Sequence, residues 1–469
     1  MTLLVLVCSF SVNAFVTKGQ SPRQLTAKFD ELISSQFKGQ EPGGVVLITQ
    51  NGKIIYRKAF GLANVELEVP MKDEIVFNIA SITKQFTAVA ILQLVEQGKL
   101  SLRDHVTKYL PDYPAGAQIT IENLLTHTAG VPGPAPEAMA KLQARRDLVS
   151  LPEIIATFEN RPLDFAPGTK WSYSNNGYML LGAIIEKVSG SSYSDYLEKN
   201  IFKPAGMTQT HFGDDYVLIK NRAASYVYSR SESRFLNARN EKIELAYSAG
   251  AIQSTAEDLF KWNEAIRSHK LIKKESLEKA QTEYKLPGGK GTNYGYGWFI
   301  GNIQGSPIVE HGGNMGGFMS HSIYLPQEDV FAVVLYNFRT ATHLPEFLAG
   351  DLAALTIHKP FNIREIAVAD NVLKTYVGVY EDEGVERLIT VEGGKLYYQR
   401  TGANKLSMKP YAADKFFFEN TAVIGEFKRD AKNNIISLEV SNKRGISSSV
   451  LRRTDKPVPV SATPPKTNP

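Results

Sequence analysis

Val76-Phe77-Asn78-Ile79-Ala80-Ser81-Ile82-Thr83-Lys84 runs into Phe86, Ala88, Val89, Ala90, Ile91, Leu92, Leu94 and Val95, the pattern of a strongly apolar helix. A serine and a lysine three residues apart share one helix face. An alkyl alcohol is a poor nucleophile at neutral pH and needs an adjacent base; the Lys84 amine supplies one at this spacing. The positive end of the helix points at Ser81 and favours an oxyanion formed there. Two other Ser-x-x-Lys runs, at Ser35 and Ser276, lie in a polar amphipathic segment and a highly charged one. Only Ser81 stands between a buried approach and an apolar helix, where a Ser/Lys pair is costly unless it has partners.

Two further clusters carry chemistry. Trp171-Ser172-Tyr173-Ser174-Asn175-Asn176-Gly177-Tyr178 precedes the apolar helix 179–188. A phenol beside a lysine ammonium has its pKa lowered, so Tyr173 is expected to take or return the serine proton. The Asn175 amide is expected to hydrogen-bond Lys84 and a substrate carbonyl. Taken alone, the same stretch reads as an aromatic loop capping a helix. Glu310-His311-Gly312-Gly313-Asn314-Met315-Gly316-Gly317-Phe318 follows a strand. So many glycines beside one histidine indicate close approach of backbone to a ligand. The Asn314 N–H is expected to join that of Ser81 as an oxyanion hole. His311, a partly protonated imidazole, is expected to orient a substrate carboxylate or carbonyl from the far wall. Taken alone, this stretch is a glycine-rich hairpin turn.

Ser81-x-x-Lys84, Tyr173-x-Asn175 and His311-x-Gly313, in this order, resemble the three motifs of the serine β-lactamase-like, penicillin-recognising hydrolases. The class C-like branch, with its D,D-peptidases, D-aminopeptidases and esterases, is the most similar. Residues 124–132, 201–207 and 250–259 also look like that family, and the resemblance covers residues 25–358. It implies an α/β sandwich with a central antiparallel sheet flanked by helices. It also implies a serine hydrolase that acts through an acyl-enzyme on an amide or ester. In this reading Ser81, Lys84, Tyr173 and Asn175 are catalytic, and His311, Gly313 and Asn314 bind substrate. True class C β-lactamases carry Lys-Thr-Gly where this chain has His-Gly-Gly, which argues against efficient β-lactam hydrolysis. A weak β-lactamase, or a non-catalytic penicillin-binding-like sensor on the same scaffold, is the alternative.

Outside the motifs, 469 residues suit two domains. A net charge of +5 is small for that length and gives no reason to expect nucleic-acid binding. Asn51-Gly52 is a tight-turn signal between strand patterns at 44–50 and 53–60. Strand patterns return at 295–301, 307–310, 319–325 and 330–336, and a closing helix is read at 344–358. Tyr294, Tyr296 and Trp298 either line the pocket or pack in the sheet, and packing is the preferred reading. Short alternating strands over 366–455 indicate an all-β, barrel-like domain, similar to the lipocalin-like domains attached to such enzymes. The Pro/Thr/Ser-rich tail 456–469 reads as disordered. Residues 1–14 look like a signal peptide without a basic n-region, placing the protein in the periplasm or outside the cell. Cys8, the sole cysteine, falls inside that segment. Eight scattered histidines without His-Glu-x-x-His give no zinc site, and Gly-x-Ser-x-Gly is missing too. No cofactor or metal is called for, no stretch is long enough for a transmembrane segment, and the expected partner is a small-molecule or peptide substrate. The oligomeric state is open.

Overall fold

The hairpin at Asn51-Gly52 forms as the turn chemistry requires. In this computed structural model, β1 (Gly44–Gln50) and β2 (Lys53–Phe60) pair antiparallel. Asn51 and Gly52 take φ of 51° and 68°, the backbone that matches the twist of paired strands. The structure describes residues 22–458 apart from 35–36, 38, 240, 341–343, 362, 383, 401–404, 419–422 and 443–447. Residues 1–14, Cys8 among them, and most of the 456–469 tail lie outside the described residues.

Four later strands complete an antiparallel sheet: β3 (Phe299–Ile303), β4 (Ser306–Met315), β5 (Phe318–Leu325) and β6 (Val330–Tyr336). The order is β3-β4-β5-β6-β1-β2, with Gly44 opposite Tyr336 where the two ends of the region meet. Alternation along a strand sends successive side chains to opposite faces. Val45, Leu47, Phe331, Val333 and Leu335 therefore enter one core, while Val46, Ile48, Ala332, Val334 and Tyr336 enter another. The second core is closed by α1 (Pro22–Ser34), through Phe29 and Ile33, and by a C-terminal helix (Pro345–Thr356), through Leu348 and Leu352. The first core holds α2 (Thr83–Glu96) and α3 (Asn175–Ser189). Both faces of β1 and β6 are covered, which is why those strands read as unbroken apolar runs. This is the expected sandwich.

α2 is buried from Thr83 to Leu94 on every side, as an all-round apolar helix must be. Phe86 stacks on Trp262 at a centroid distance of 3.9 Å. Ser81 differs from expectation in one respect. It lies in a 3₁₀ turn, Ala80–Ile82, that precedes the α-helix rather than in the helix's own first turn.

Asn337, directly after β6, is fully buried. Its Oδ1 accepts from the Gly43 N–H at 2.8 Å. Its Nδ2 donates to the carbonyls of Leu62 (3.1 Å), Ala63 (3.3 Å) and Ala224 (3.0 Å). One amide thus fastens segments that are distant in sequence, and nothing local in the sequence marks it.

The C-terminal strands form a closed eight-stranded barrel. They are β7 (Gly378–Asp382), β8 (Val385–Glu392), β9 (Lys395–Arg400), β10 (Leu406–Ala412), β11 (Lys415–Phe418), β12 (Val423–Arg429), β13 (Ile435–Asn442) and β14 (Ser448–Arg453), the last returning to β7. Tyr380, Leu396, Phe416, Phe418, Phe427 and Leu438 occupy its centre, since eight strands leave an interior just wide enough for side chains. No described helix is long and apolar enough to cross a membrane.

Asn337→Ala strands one buried N–H and the carbonyls it served, each worth about 1–3 kcal/mol. The expected outcome is a loss of about 3 kcal/mol or more, read as a lower urea midpoint at unchanged slope.

Candidate active site

The chain reaches Ser81 through a strained corner. Ala80 has φ of +46°, a left-handed conformation that costs a non-glycine residue about 1–2 kcal/mol. The Asn78 Oδ1 holds it there by accepting from the Ala80 N–H at 2.7 Å. The Ile79 carbonyl accepts from the Ser320 hydroxyl of β5 at 2.7 Å. β4 lies directly on this corner. A Cβ at Gly313 would stand 2.3 Å from the Ile79 carbonyl oxygen and 2.8 Å from the Ala80 Cβ. Gly313 therefore makes room for the protein's own Ser81 turn, rather than for a ligand as the sequence implied.

Lys84 is fully buried. Its Nζ lies 3.1 Å from Ser81 Oγ, 2.8 Å from Asn175 Oδ1 and 2.8 Å from the Ala249 carbonyl oxygen. Burial pushes its pKa well below the usual lysine range. A neutral amine has two N–H donors and one lone pair. The two carbonyl oxygens can only accept, so in that neutral form they take both donors and leave the lone pair to the Ser81 hydroxyl, to which the charged form instead donates. Asn175 reaches Lys84 from the start of α3, whose N-cap, Ser174, accepts from the Gly177 N–H. Ala249 is delivered by Tyr247–Gly250, a single turn clamped to α3: Tyr247 donates to Glu186 at 2.6 Å and Ser248 to the Tyr178 carbonyl at 2.8 Å. A Cβ at Gly182 would fall 2.2 Å from Ser248 Oγ, so α3 needs glycine at that contact.

Tyr173 sits with its ring 4.7 Å from Lys84 Nζ. Its pKa moves opposite to expectation. Burial pushes the phenol up, and a hydrogen bond with Ser81 only partly opposes this. The expected lowering assumed an ammonium beside the ring, and burial works against that ammonium.

His311 also differs. It is 1% exposed. Its Nδ1 donates to the Gly312 carbonyl at 2.7 Å, which leaves Nε2 to accept from the Tyr294 hydroxyl at 3.1 Å. Burial, then the Lys84 charge, lowers its pKa to about 3. The imidazole is neutral at physiological pH, not partly protonated, and its ring packs against Phe299 and Tyr173. Tyr294, Tyr296 and Trp298 are buried. His127 joins the same cluster, its ring 4.3 Å from that of Tyr173. Its Nδ1 accepts from the Ser174 N–H at 3.1 Å, so it braces the loop that carries Tyr173 and Asn175. No chemical logic in its own segment marked that role.

The β4–β5 turn is Gly316-Gly317, with φ of 52° and 84°, and Met315 pairs with Phe318 to close it. Hydrogen-bonded pairs alternate along an antiparallel ladder, so the Asn314 N–H points away from β5. β3 pairs only as far as Glu310, which leaves that side of β4 open at Asn314. A cleft of about 320 Å³ lies there, lined by Ser81, Asn175, Asn314, Glu241, Lys242 and Met315 among others.

A family model described as Beta-lactamase matches residues 23–354. Over 419 residues the chain is 30% identical to penicillin-binding protein 4* of Bacillus subtilis (strain 168), covering 84% of this chain and 92% of that one. The octameric penicillin-binding protein homologue from Pyrococcus abyssi superposes with a TM-score of 0.64 at 29% identity, covering 92% of this chain and all of that one. D-amino acid amidase from Ochrobactrum anthropi SV3 shares the fold, with a TM-score of 0.61 at 22% identity over 71% of this chain and 98% of that one.

His311 titrates near 3 when folded and near 6.5 when unfolded. Between these values the unfolded chain binds more protons, so stability falls as pH falls through that window and is fully retained above it. His311→Gln is expected to flatten this dependence, measured as urea midpoints between pH of about 4 and about 7.

Proposed function

The chain belongs to the Beta-lactamase family and is a serine hydrolase, and we propose that it cleaves an amide or ester through an acyl-enzyme on Ser81 with Lys84 as the base. The observation that carries this reading is the set of three partners around Lys84 Nζ, two of which can only accept. The Ser81 oxygen attacks the substrate carbonyl as its proton passes to the Lys84 lone pair. The resulting ammonium is held by Asn175 Oδ1 and the Ala249 carbonyl. The N–H groups of Ser81 and Asn314 stabilise the tetrahedral oxyanion, one such donor contributing about 3 kcal/mol. When the intermediate collapses, the bond to the leaving amine or alkoxide breaks. That group takes a proton from the Tyr173 hydroxyl, which Lys84 restores. Water then attacks the acyl-enzyme with Lys84 again as acceptor, and Ser81 regains its proton.

The neutral, buried His311, with both ring nitrogens engaged, supports a D-amino-acid peptidase, aminopeptidase or esterase over a β-lactamase, because no cation stands at the third motif to hold a β-lactam carboxylate. The D-amino acid amidase among the neighbours agrees with amide substrates. The apolar segment 1–14 supports export to the periplasm or beyond.

The test is a panel of a chromogenic ester, a D-alanine anilide, a D-Ala-D-Ala peptide and a cephalosporin. Ser81→Ala is expected to lose on the order of 10³-fold or more in kcat on the preferred substrate. Lys84→Met is expected to lose about 10²–10⁴-fold. For the wild type, kcat/KM should rise with pH through the lowered lysine pKa, since only the neutral amine accepts a proton. Wild-type turnover in Ser81→Ala would end the reading.

A further inference from the structure

The charges around the cleft do not balance. Lys242 lines it but is already engaged. Its Nζ pairs with Glu244 at 2.8 Å, both side chains being nearly buried, donates to the Asp147 carbonyl at 2.8 Å, and faces the Tyr216 ring at 6.0 Å. Asn176 donates its amide to the Pro132 carbonyl at 2.7 Å. Lys84 is fully buried, and the His311 nitrogens are both engaged. Glu241 is different: it is exposed and lines the cleft. Its recorded bond is one carboxylate oxygen accepting from the Gly316 N–H at 3.2 Å. Among the described residues the ion pairs on neighbouring segments join other groups, and none includes Glu241. Among the described residues, the one uncompensated charge lining the cleft is negative.

Its position relates it to the reacting carbonyl. Gly316, the first residue of the β4–β5 turn, lies two residues beyond Asn314, about 7 Å away across the extended Met315. A carboxylate anchored at Gly316 stands within reach of a group a few bonds from a carbonyl seated on the Asn314 N–H. A primary ammonium there gains a charge-assisted hydrogen bond. A carboxylate there meets a like charge and no partner.

We propose that Glu241 is a specificity-determining residue that selects substrates with a primary ammonium near the scissile carbonyl: amino-acid amides, aminoacyl esters, or peptides with a free amino terminus. This rests on the Ser81 acyl-enzyme reading and narrows its substrate class.

The experiment uses two matched boronic acids, 1-aminoethylboronic acid and its N-acetyl derivative. Each forms a reversible tetrahedral adduct with a reactive serine, so affinity reads the site without turnover. The readout is the ratio of the two dissociation constants in the full-length wild type, Glu241→Gln and Glu241→Lys. Because Glu241 is exposed, both variants should keep the wild-type melting temperature. The wild type should favour the free amine, the preference should fall roughly tenfold in Glu241→Gln, and it should reverse in Glu241→Lys. An identical ratio in all three proteins, or a wild-type preference for the N-acetyl compound, overturns the proposal. Ser81→Ala separates the two readings: loss of both adducts supports the serine mechanism, and undiminished binding of both defeats that mechanism whatever the ratio does.

Discussion

A lysine amine enclosed in an apolar core is the constraint around which this molecule is arranged. Burying an unpartnered polar group costs several kcal/mol, and Lys84 escapes that cost only because three separate segments bring it oxygen atoms: the Ser81 turn, the start of α3 and the Tyr247–Gly250 turn. Each of these must be fixed in turn. α2 is wedged on all sides, α3 is capped by Ser174, and Gly182 lets α3 close onto Ser248. The same enclosure that makes Lys84 expensive lowers its pKa, as the proposed base role requires.

The surroundings carry that electrostatic choice further. Two imidazoles, His127 and His311, are buried beside the amine, and both are driven toward neutrality by desolvation with the Lys84 charge adding to it. The tyrosines around them are likewise held as neutral phenols by burial. The rings packed around Lys84 are thus buried and uncharged. Glu241, the carboxylate proposed to select substrate, is by contrast exposed and lines the cleft.

The strained corner at Ala80 shows how the sheet serves the chemistry. β4 presses so close that residue 313 can carry no side chain, and this contact sets the Ser81 turn beside the open edge of β4 at Asn314. The N–H groups proposed as oxyanion donors thus come from two elements locked together by a backbone approach, an arrangement that suits developing charge without reorganisation. The barrel uses different physics, a closed sheet packed on its own aromatic centre.

The sequence by itself determined what depends on neighbours along the chain. The Asn51-Gly52 turn, the alternation that splits β1 and β6 between two cores, the apolar run of α2 and the short barrel strands are local patterns with local causes. The pairing of Ser81 with Lys84 is local as well, since a helical turn brings them together. Tertiary structure alone decided the rest. The Ala249 carbonyl has no side chain to advertise it, and Asn337 is one asparagine among many until four backbone groups converge on it. The directions of the Tyr173 and His311 shifts were misjudged because the first was reasoned from a charged lysine nearby and the second from an ordinary solvated imidazole, whereas depth of burial decided both outcomes. Periodicity and turn chemistry are written in adjacent residues; desolvation and long-range hydrogen bonds exist only once the chain has closed around them.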